Sequence, residues 1–340
     1  METDPPAARV RIVMRTHDRP TLLARALDDL LAQSYRGWDL IVLNHRGDRA
    51  ALDAVLQDRA QGFPHHWAVV DTDHPIGRDA IIGLGLDDSN AEYIAIHDDD
   101  DTWAADFLRS TVAWLDQHPD QVAVAVPTDI VKERIDEDGI VVLDQQSIRP
   151  PFGRISLFDL ILAAHIPPIG LLYRRAAIEA IGGFDDSLSV LGDWDVMLRL
   201  AGSGPIGYLE GETLAFWRQR PLSEGALANS VIGDLDLHRQ TDRELRDRAL
   251  REYVERNGIG GLLFVARYVD EQFAASRHDS WARAREIESH LSTRIDEQSA
   301  QMEARIIRYI EHYAVIPSLR RAARRIFPFG RRPRGAQPAE

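Results

Sequence analysis

Tyr93-Ile94-Ala95-Ile96-His97-Asp98-Asp99-Asp100-Asp101-Thr102-Trp103 is the stretch on which the fold turns. Tyr93 to Ile96 has the length and apolar character of a buried strand, and four consecutive carboxylates follow where that strand should end. Ionised together, they repel one another and raise each other's pKa values, so the cluster is uncomfortable unless a cation sits among it. Oxygen-only donors at the mouth of a strand suit Mn²⁺ or Mg²⁺, which take one or two carboxylates together with substrate phosphate oxygens. In an open α/β sheet the carboxyl ends of the strands are where ligands bind, so the position agrees with the chemistry. The plainer alternative is a solvated acidic loop in which Asp100 or Asp101 caps a helix starting near Ala104; that accounts for one or two of the acids, not four.

Outward from this stretch, strands and helices alternate. Arg9 to Met14 reads as a first strand, and Pro20-Thr21 opens a helix with Leu22, Leu23, Ala26, Leu27, Leu30 and Leu31 at helical spacing. Asp39 to Leu43 reads as a second strand, followed by the turn Asn44-His45-Arg46-Gly47-Asp48 and a second helix through Ala60. Trp67 to Val70 is a third strand, and Ile76 to Leu86 a third helix entered through Gly77-Arg78-Asp79. The acid-tipped strand is fourth, and the order predicts a parallel, Rossmann-like α/β sheet with right-handed crossovers. Downstream, Val122 to Val126 is another strand. Ile130 to Ile135 and Ile140 to Leu143 form a two-stranded excursion, and Ser156 caps a helix over Leu157 to Ala164. Leu171 to Tyr173 is a short strand, Arg174 to Ile181 a helix, and a further helix opens at Gly192-Asp193-Trp194-Asp195. Ile206 to Leu209 and Leu214 to Trp217 close the domain.

The 340 residues include no cysteine, which excludes a disulfide framework and a thiolate metal site and makes a cytoplasmic address the expectation. No apolar run approaches a membrane span, and Met1 to Ala8, expected to be disordered, lacks a signal-peptide pattern. A formal charge of −14 argues against nucleic acid as a partner. The charge is uneven: Pro317 to Glu340 carries seven arginines and one acid, a +6 tail on a −20 body. With Leu319, Ile326, Phe327 and Phe329 interspersed, the tail is suited either to an anionic membrane surface, which would make the protein peripheral on the inner face of the membrane, or to a disordered, solubilising role. Beyond Pro221, Ile287, Leu291, Ile295, Met302, Ile306, Tyr309 and Tyr313 form an apolar stripe on a long charged helix. It would lie either on its own domain or against another copy in a coiled-coil homo-oligomer.

Taken together, these pieces resemble the family-2 glycosyltransferases, inverting enzymes of the GT-A fold. The resemblance is carried by Arg15-Thr16-His17-Asp18-Arg19-Pro20 after the first strand, Gln33-Ser34-Tyr35 and the Asp98 to Asp101 run. Downstream it rests on Tyr173-Arg174-Arg175, Gly182-Gly183-Phe184-Asp185, and Gly192-Asp193-Trp194-Asp195 with Arg199. It covers Arg9 to about Ser230. It implies a nucleotide-sugar half at 9–126 and an acceptor half at 127–230, followed by a helical extension at 231–316 and the basic tail at 317–340.

The resemblance further implies that a UDP-, dTDP- or GDP-linked sugar is the donor and a hydroxyl of a glycan or lipid-linked saccharide the acceptor, in surface polysaccharide biosynthesis. Asp98 and Asp100 take the place of the family's paired acids around the metal, with Asp100 the direct ligand and Asp98 toward the ribose or a bound water. A shift of register onto Asp99 and Asp101 stays open. Thr16, Asp18, Arg19, His45, Arg78 and Asp99 fall where the family holds the donor. Asp193 matches the base that takes the acceptor proton, with Asp195 as the other candidate and helix capping as the structural alternative. Trp194, Asp195, Trp217 and Arg218 would meet the acceptor sugar, or the two tryptophans would belong to the core. Two positions depart from the family pattern: Asn44-His45-Arg46-Gly47-Asp48 lacks the usual acid after the second strand, and Gly192-Asp193 replaces a Glu-Asp pair. The first departure motivates the alternative of a catalytically inactive module that binds a glycan or nucleotide.

Overall fold

The computed structural model describes residues 7–72, 80–86, 89–136, 139–163, 166–221 and 235–313. The chain divides into two compact units, Met1–Arg251 and Glu252–Glu340.

The first unit is built on a seven-stranded sheet. Strands β1 (Val10–Thr16), β2 (Trp38–His45), β3 (Trp67–Thr72) and β4 (Tyr93–Ile96) run parallel in the order β3-β2-β1-β4. The sheet continues through β9 (Leu171–Arg174) to β6 (Ala123–Ala125) and β10 (Ile206–Tyr208). β9 is antiparallel to both neighbours, a reversal that the expectation of a parallel sheet did not include. The alternation of side chains sorts the strands onto two cores. Val10, Ile12, Met14, Leu40, Val42, Tyr93 and Ala95 pack on one side with α1 (Pro20–Leu31), α2 (Arg49–Arg59) and α3 (Phe107–Gln117). Val13, Ile41, Leu43, Ile94 and Ile96 pack on the other with the short α4 (Leu157–Leu162), α5 (Arg175–Ala180) and α6 (Gly192–Ser203).

Both faces of the sheet are covered, which is why its strands read as continuous apolar runs. α1 has Pro20 in its first turn and buries Leu22, Leu23, Ala26, Leu27 and Leu30, as the spacing predicts. Over 80–85 the chain forms a 3-10 helix, not the expected α-helix. A Cβ on Gly85 would come within 2.7 Å of Val13, so the tight approach of this segment to the sheet depends on glycine. Residues 73–79, Arg78 among them, lie outside the described residues.

A second sheet lies at the strand ends, in the order β5 (Thr102–Trp103), β11 (Ala215–Gln219), β7 (Thr128–Asp136) and β8 (Gly139–Ile148). The β7–β8 pair is the predicted two-stranded excursion, and its register shifts between Lys132 and Glu133. Ser156 caps α4 as expected, its Oγ accepting from the Asp159 amide at 3.1 Å. After residue 221 the described chain resumes in α7 (Leu235–Asn257), which buries Thr241 and Leu245. Arg246 of α7 donates to the Ile161 carbonyl (2.8 Å) and Arg248 to Asp185 (2.7 Å), so the first unit extends past the expected boundary at Ser230. The second unit contains the last residues of α7 and all of α8 (Gly260–Tyr313), a helix of 54 residues. Among the described residues, no helix is long and apolar enough to cross a membrane.

Candidate functional site

The acidic run leaves the carboxyl end of β4 and is braced from below. His97, fully buried, sets one ring nitrogen 2.9 Å from the Asp98 carbonyl and the other 3.2 Å from Asp29 Oδ2. The same Asp29 oxygen accepts the Trp103 amide at 2.7 Å, and Trp103 stacks on Phe107 with ring centroids 4.1 Å apart. None of the four aspartates caps α3: the residue at its N-cap is Asp106, without a side-chain cap bond.

Each aspartate instead meets an arginine. Asp98 is held bidentate by Arg15, with both contacts at 2.7 Å. Asp99, fully buried, accepts from Thr16 Oγ1 (2.7 Å) and Arg19 Nε (3.1 Å). Asp100 Oδ2 lies 3.2 Å from Arg19 Nη1 and also pairs closely with Arg220 Nη2. Asp101 accepts the backbone amide of Arg218 at 2.7 Å.

A fifth acid, Glu133 at the irregularity in β7, is buried among three guanidinium groups. Arg25 donates at 2.9 Å, Arg218 at 3.0 Å and Arg220 at 3.1 Å. Asp98, Asp99, Asp100 and Glu133 therefore meet the guanidinium groups of Arg15, Arg19, Arg25, Arg218 and Arg220, while Asp101 meets the main-chain amide of Arg218. The expectation that four clustered acids need a metal for tolerance is thus met in large part by arginine.

Titration within the cluster follows burial. Desolvation pushes the Asp99 carboxyl up to about 7, with Arg19 opposing and Asp100 adding to the rise. Burial, then the charges of Asp100 and Asp98, hold Asp101 well above the usual carboxylate range, against the Arg218 amide and Arg220. Burial also acts to raise Glu133, but hydrogen bonds and charge from Arg25 and Arg218 outweigh it and hold the group below its ordinary value.

The carboxylates fit a hard divalent ion. Asp98, Asp100 and Asp101 each offer one oxygen, and these oxygens lie within 4.8 Å of one another. A carboxylate carries about four lone-pair sites, so one such group can accept from an arginine and meet an ion at once. Asp99 is outside this trio and faces Thr16 and Arg19.

Around the β1 and β2 ends, Asp18 (φ 49°) and Arg46 (φ 57°) adopt left-handed backbone. Asp18 Oδ1 accepts the Asp48 amide at 2.6 Å, and Asp48 caps α2 through the amides of Ala50 and Ala51. Asn44 ties the loop by accepting from the Gly47 amide (3.2 Å) and donating to the Gly47 carbonyl (3.0 Å). A Cβ on Gly47 would stand 2.6 Å from Asn44 Oδ1. His45, half-buried, faces His17 with ring centroids 6.5 Å apart, and His17 Nδ1 lies 2.7 Å from the His45 carbonyl.

At the start of α6, Leu191 (φ 62°) occupies the N-cap and Asp193 the first turn, so Asp193 is not the cap residue. Its Oδ1 accepts the Trp194 amide at 2.8 Å. Asp195 is buried and paired with Arg199 (2.6 Å) and Arg248 (3.5 Å), leaving Asp193 the more accessible of the two acids. Trp194 belongs to the core: it is 2% exposed, donates from Nε1 to the Leu160 carbonyl at 2.7 Å, and has Arg246 4.9 Å over its ring. It therefore presents no open face to a sugar, which corrects the acceptor-stacking expectation. Trp217 is partly buried against the first core, and Arg218 reaches Thr102 Oγ1 (2.9 Å) and Glu133.

Arg15, Arg25, Glu133 and Arg220 were not among the expected site residues. An arginine at the end of an otherwise apolar strand was the available signal for Arg15; Arg25, Glu133 and Arg220 carried no local signal.

The fold matches solved GT-A enzymes. S. aureus TarS, solved in complex with UDP-GlcNAc, superposes with a TM-score of 0.52 at 15% identity, over 66% of this chain and 62% of that one. A curated relative, the uncharacterised glycosyltransferase alr2836 of Nostoc sp., is 22% identical over 265 residues, 76% of this chain and 80% of its own. The O-antigen biosynthesis protein RfbC of Myxococcus xanthus is 25% identical over 211 residues, 58% of this chain but 16% of that protein. The chain thus spans less than two thirds of TarS and a small part of RfbC. Residues 11–182, half of the sequence, match the family model described as glycosyl transferase family 2, and the chain belongs to that family of glycosyltransferases.

Proposed function

We propose that this glycosyltransferase moves a sugar, with inversion, from a nucleoside-diphosphate sugar to a hydroxyl of a glycan or lipid-linked saccharide, and that it does so with a divalent ion. The observation that carries the reading is the trio Asp98, Asp100 and Asp101, whose oxygens converge within 4.8 Å at the carboxyl end of β4. Mn²⁺ or Mg²⁺ held there would offset the charge that develops on the departing diphosphate. Arg19, on Asp100 and partly exposed, would offer its guanidinium group to phosphate oxygens. Thr16 and Asp18, with His45, line the ends of β1 and β2 and would face the nucleoside. Arg78 would reach phosphate, from outside the described residues.

Asp193 is the proposed base. An inverting transfer needs one carboxylate to take the proton of the attacking hydroxyl, on the face of the sugar opposite the leaving group. Asp195 is spoken for by two arginines. Trp217 and Arg218 remain the proposed acceptor contacts. A role in polysaccharide biosynthesis is supported by the relation to RfbC, and a UDP-sugar donor by the likeness to TarS, solved with UDP-GlcNAc. Attachment to an anionic membrane through 317–340 is a proposal about residues outside those described; salt-sensitive binding to anionic vesicles, lost on truncation before Pro317, would support it.

Calorimetry with a panel of UDP-, dTDP- and GDP-sugars, with and without Mn²⁺, tests the reading directly. Asp100→Ala is expected to abolish Mn²⁺-dependent donor binding. Asp193→Asn is expected to leave donor binding intact while lowering transfer by about 10²- to 10⁴-fold. Full turnover by both variants would refute these roles. A wild-type chain with neither a donor signal nor slow donor hydrolysis would favour an inactive binding module.

A further inference from the structure

α8 carries a second, unrelated feature. From Ala284 its apolar positions step by three, four, four, three, four, four and three residues through Ile287, Leu291, Ile295, Gln298, Met302 and Ile306 to Tyr309. That is an eleven-residue repeat, about 3.67 residues per turn, which stays on one face of a nearly straight helix and drifts to the right. A heptad continued from Ala284 and Ile287 would instead put Arg294, Gln298, Gln301, Arg305 and Arg308 in the seam. Extended toward the N-terminus, the same repeat falls on Phe273, Val269, Val265 and Leu262, interrupted by serines at 276 and 280.

Among the described residues the row lies at the surface. Ile287, Leu291, Ile295, Met302, Ile306 and Tyr309 are 41–66% exposed, whereas Ile307, about 100° around the helix from Ile306, is buried.

We infer that this row is the seam along which a second copy of the chain pairs, helix against helix, in a coil of eleven-residue period. The occupant is argued from length and chemistry. From Ala284 to Tyr309 the row spans 26 residues, about 39 Å of helix, and the same row on a second copy matches it in length and chemistry position by position. Charges of both signs flank the row, with Arg285, Glu286, Glu288, Arg294, Glu297 and Arg305, so self-pairing meets no single-sign repulsion. An anionic lipid surface would call for a basic flank. Within the row from Ala284 to Ile306 the one polar side chain, Gln298, both donates and accepts, so two facing copies satisfy each other and pin the register.

Light scattering on the full-length chain at micromolar concentration tests this. The expected mass is a multiple of the single chain. Leu291→Asp with Ile295→Asp should reduce it to one chain, and Ser289→Asp with Ala300→Asp, on the opposite face, should leave it unchanged. Gln298→Leu, which completes the apolar seam, should tighten association about tenfold, a gain that misfolding does not mimic. A single-chain mass for the wild type at all concentrations overturns the proposal, as does equal dissociation by both pairs of substitutions. Wild-type chains that stay single and sediment with phosphatidylglycerol vesicles through this row would overturn it in favour of a lipid surface.

Discussion

Asp100, Arg220 and Glu133 form a chain of charge, with Arg220 buried between two acids. Two ions taken out of water lose several kcal/mol of hydration each, and the loss is recovered only while every partner is present. Arg220→Ala would take a close partner from Asp100 and a donor from Glu133. Destabilisation by about 3–5 kcal/mol follows, readable as a fall in Tm on the order of 10 °C for a unit of this size. Glu133→Ala should cost a similar amount, because it leaves Arg25, Arg218 and Arg220 without their shared acid. Their combined effect should fall short of the sum, since both substitutions cut the same network; strict additivity in thermal melts would show that the network is not one unit. The sequence displayed the acids but hid their partners. Asp98 to Asp101 are adjacent and stand out as a run, whereas Arg220 lies 120 residues from Asp100 and Arg25 108 from Glu133. Pairing over such separations is set by the folded chain and leaves no periodic trace.

Among the elements, the parallel core was legible because strands buried on both faces must be apolar throughout, and α1 because its leucines keep helical spacing. The reversal of β9 was not. Four residues, Leu171 to Arg174, read the same in either direction, and their orientation is decided by pairing with β4 and β6. The edge of this sheet makes a prediction of its own. A Cβ on Gly207 in β10 would fall 1.9 Å from the Trp114 ring, so the indole lies directly on the strand's backbone. Gly207→Ala should destabilise by about 1–3 kcal/mol through overpacking, and adding Trp114→Leu should recover part of that loss; no recovery would place the strain elsewhere.

In the second sheet, burial acts to raise Asp129, but hydrogen bonds from Gln145, Ser147 and Thr213 and the charge of Arg149 prevail and lower its pKa. A depressed carboxyl stabilises the folded state above its unfolded value, near 3.8, and that contribution disappears as pH falls through the folded value. Asp129→Asn should therefore be less stable than the wild type at pH 7, by about 1.5–3 kcal/mol. The gap should narrow in acid denaturation below about pH 3.8; a gap constant from pH 7 to pH 2 would refute the assignment.

For the whole molecule, the two compact units divide the work. Every acid and arginine of the candidate site, the Asp18 and His45 loops, and Asp193 lie within Met1–Arg251. α7 buries Thr241 and Leu245 within that unit, crosses the division after Arg251 and ends at Asn257. Gly258 (φ 74°) then follows, a left-handed residue that breaks the helix before α8 begins. The charged composition beyond Pro221 announced helices but not this division, because α7 and α8 are similarly rich in arginine and glutamate and differ in what they bury. A chain ending at Asn257 should fold and bind the donor preferred by the full-length protein with unchanged affinity. It should also run as a single chain in light scattering, having lost the eleven-residue row. A loss of donor affinity beyond tenfold, about 1.4 kcal/mol, would mean that the long helix contributes to the site, and retention of an oligomeric mass would move the interface onto the transferase unit. The two readouts are independent, so donor binding and pairing can each fail without the other.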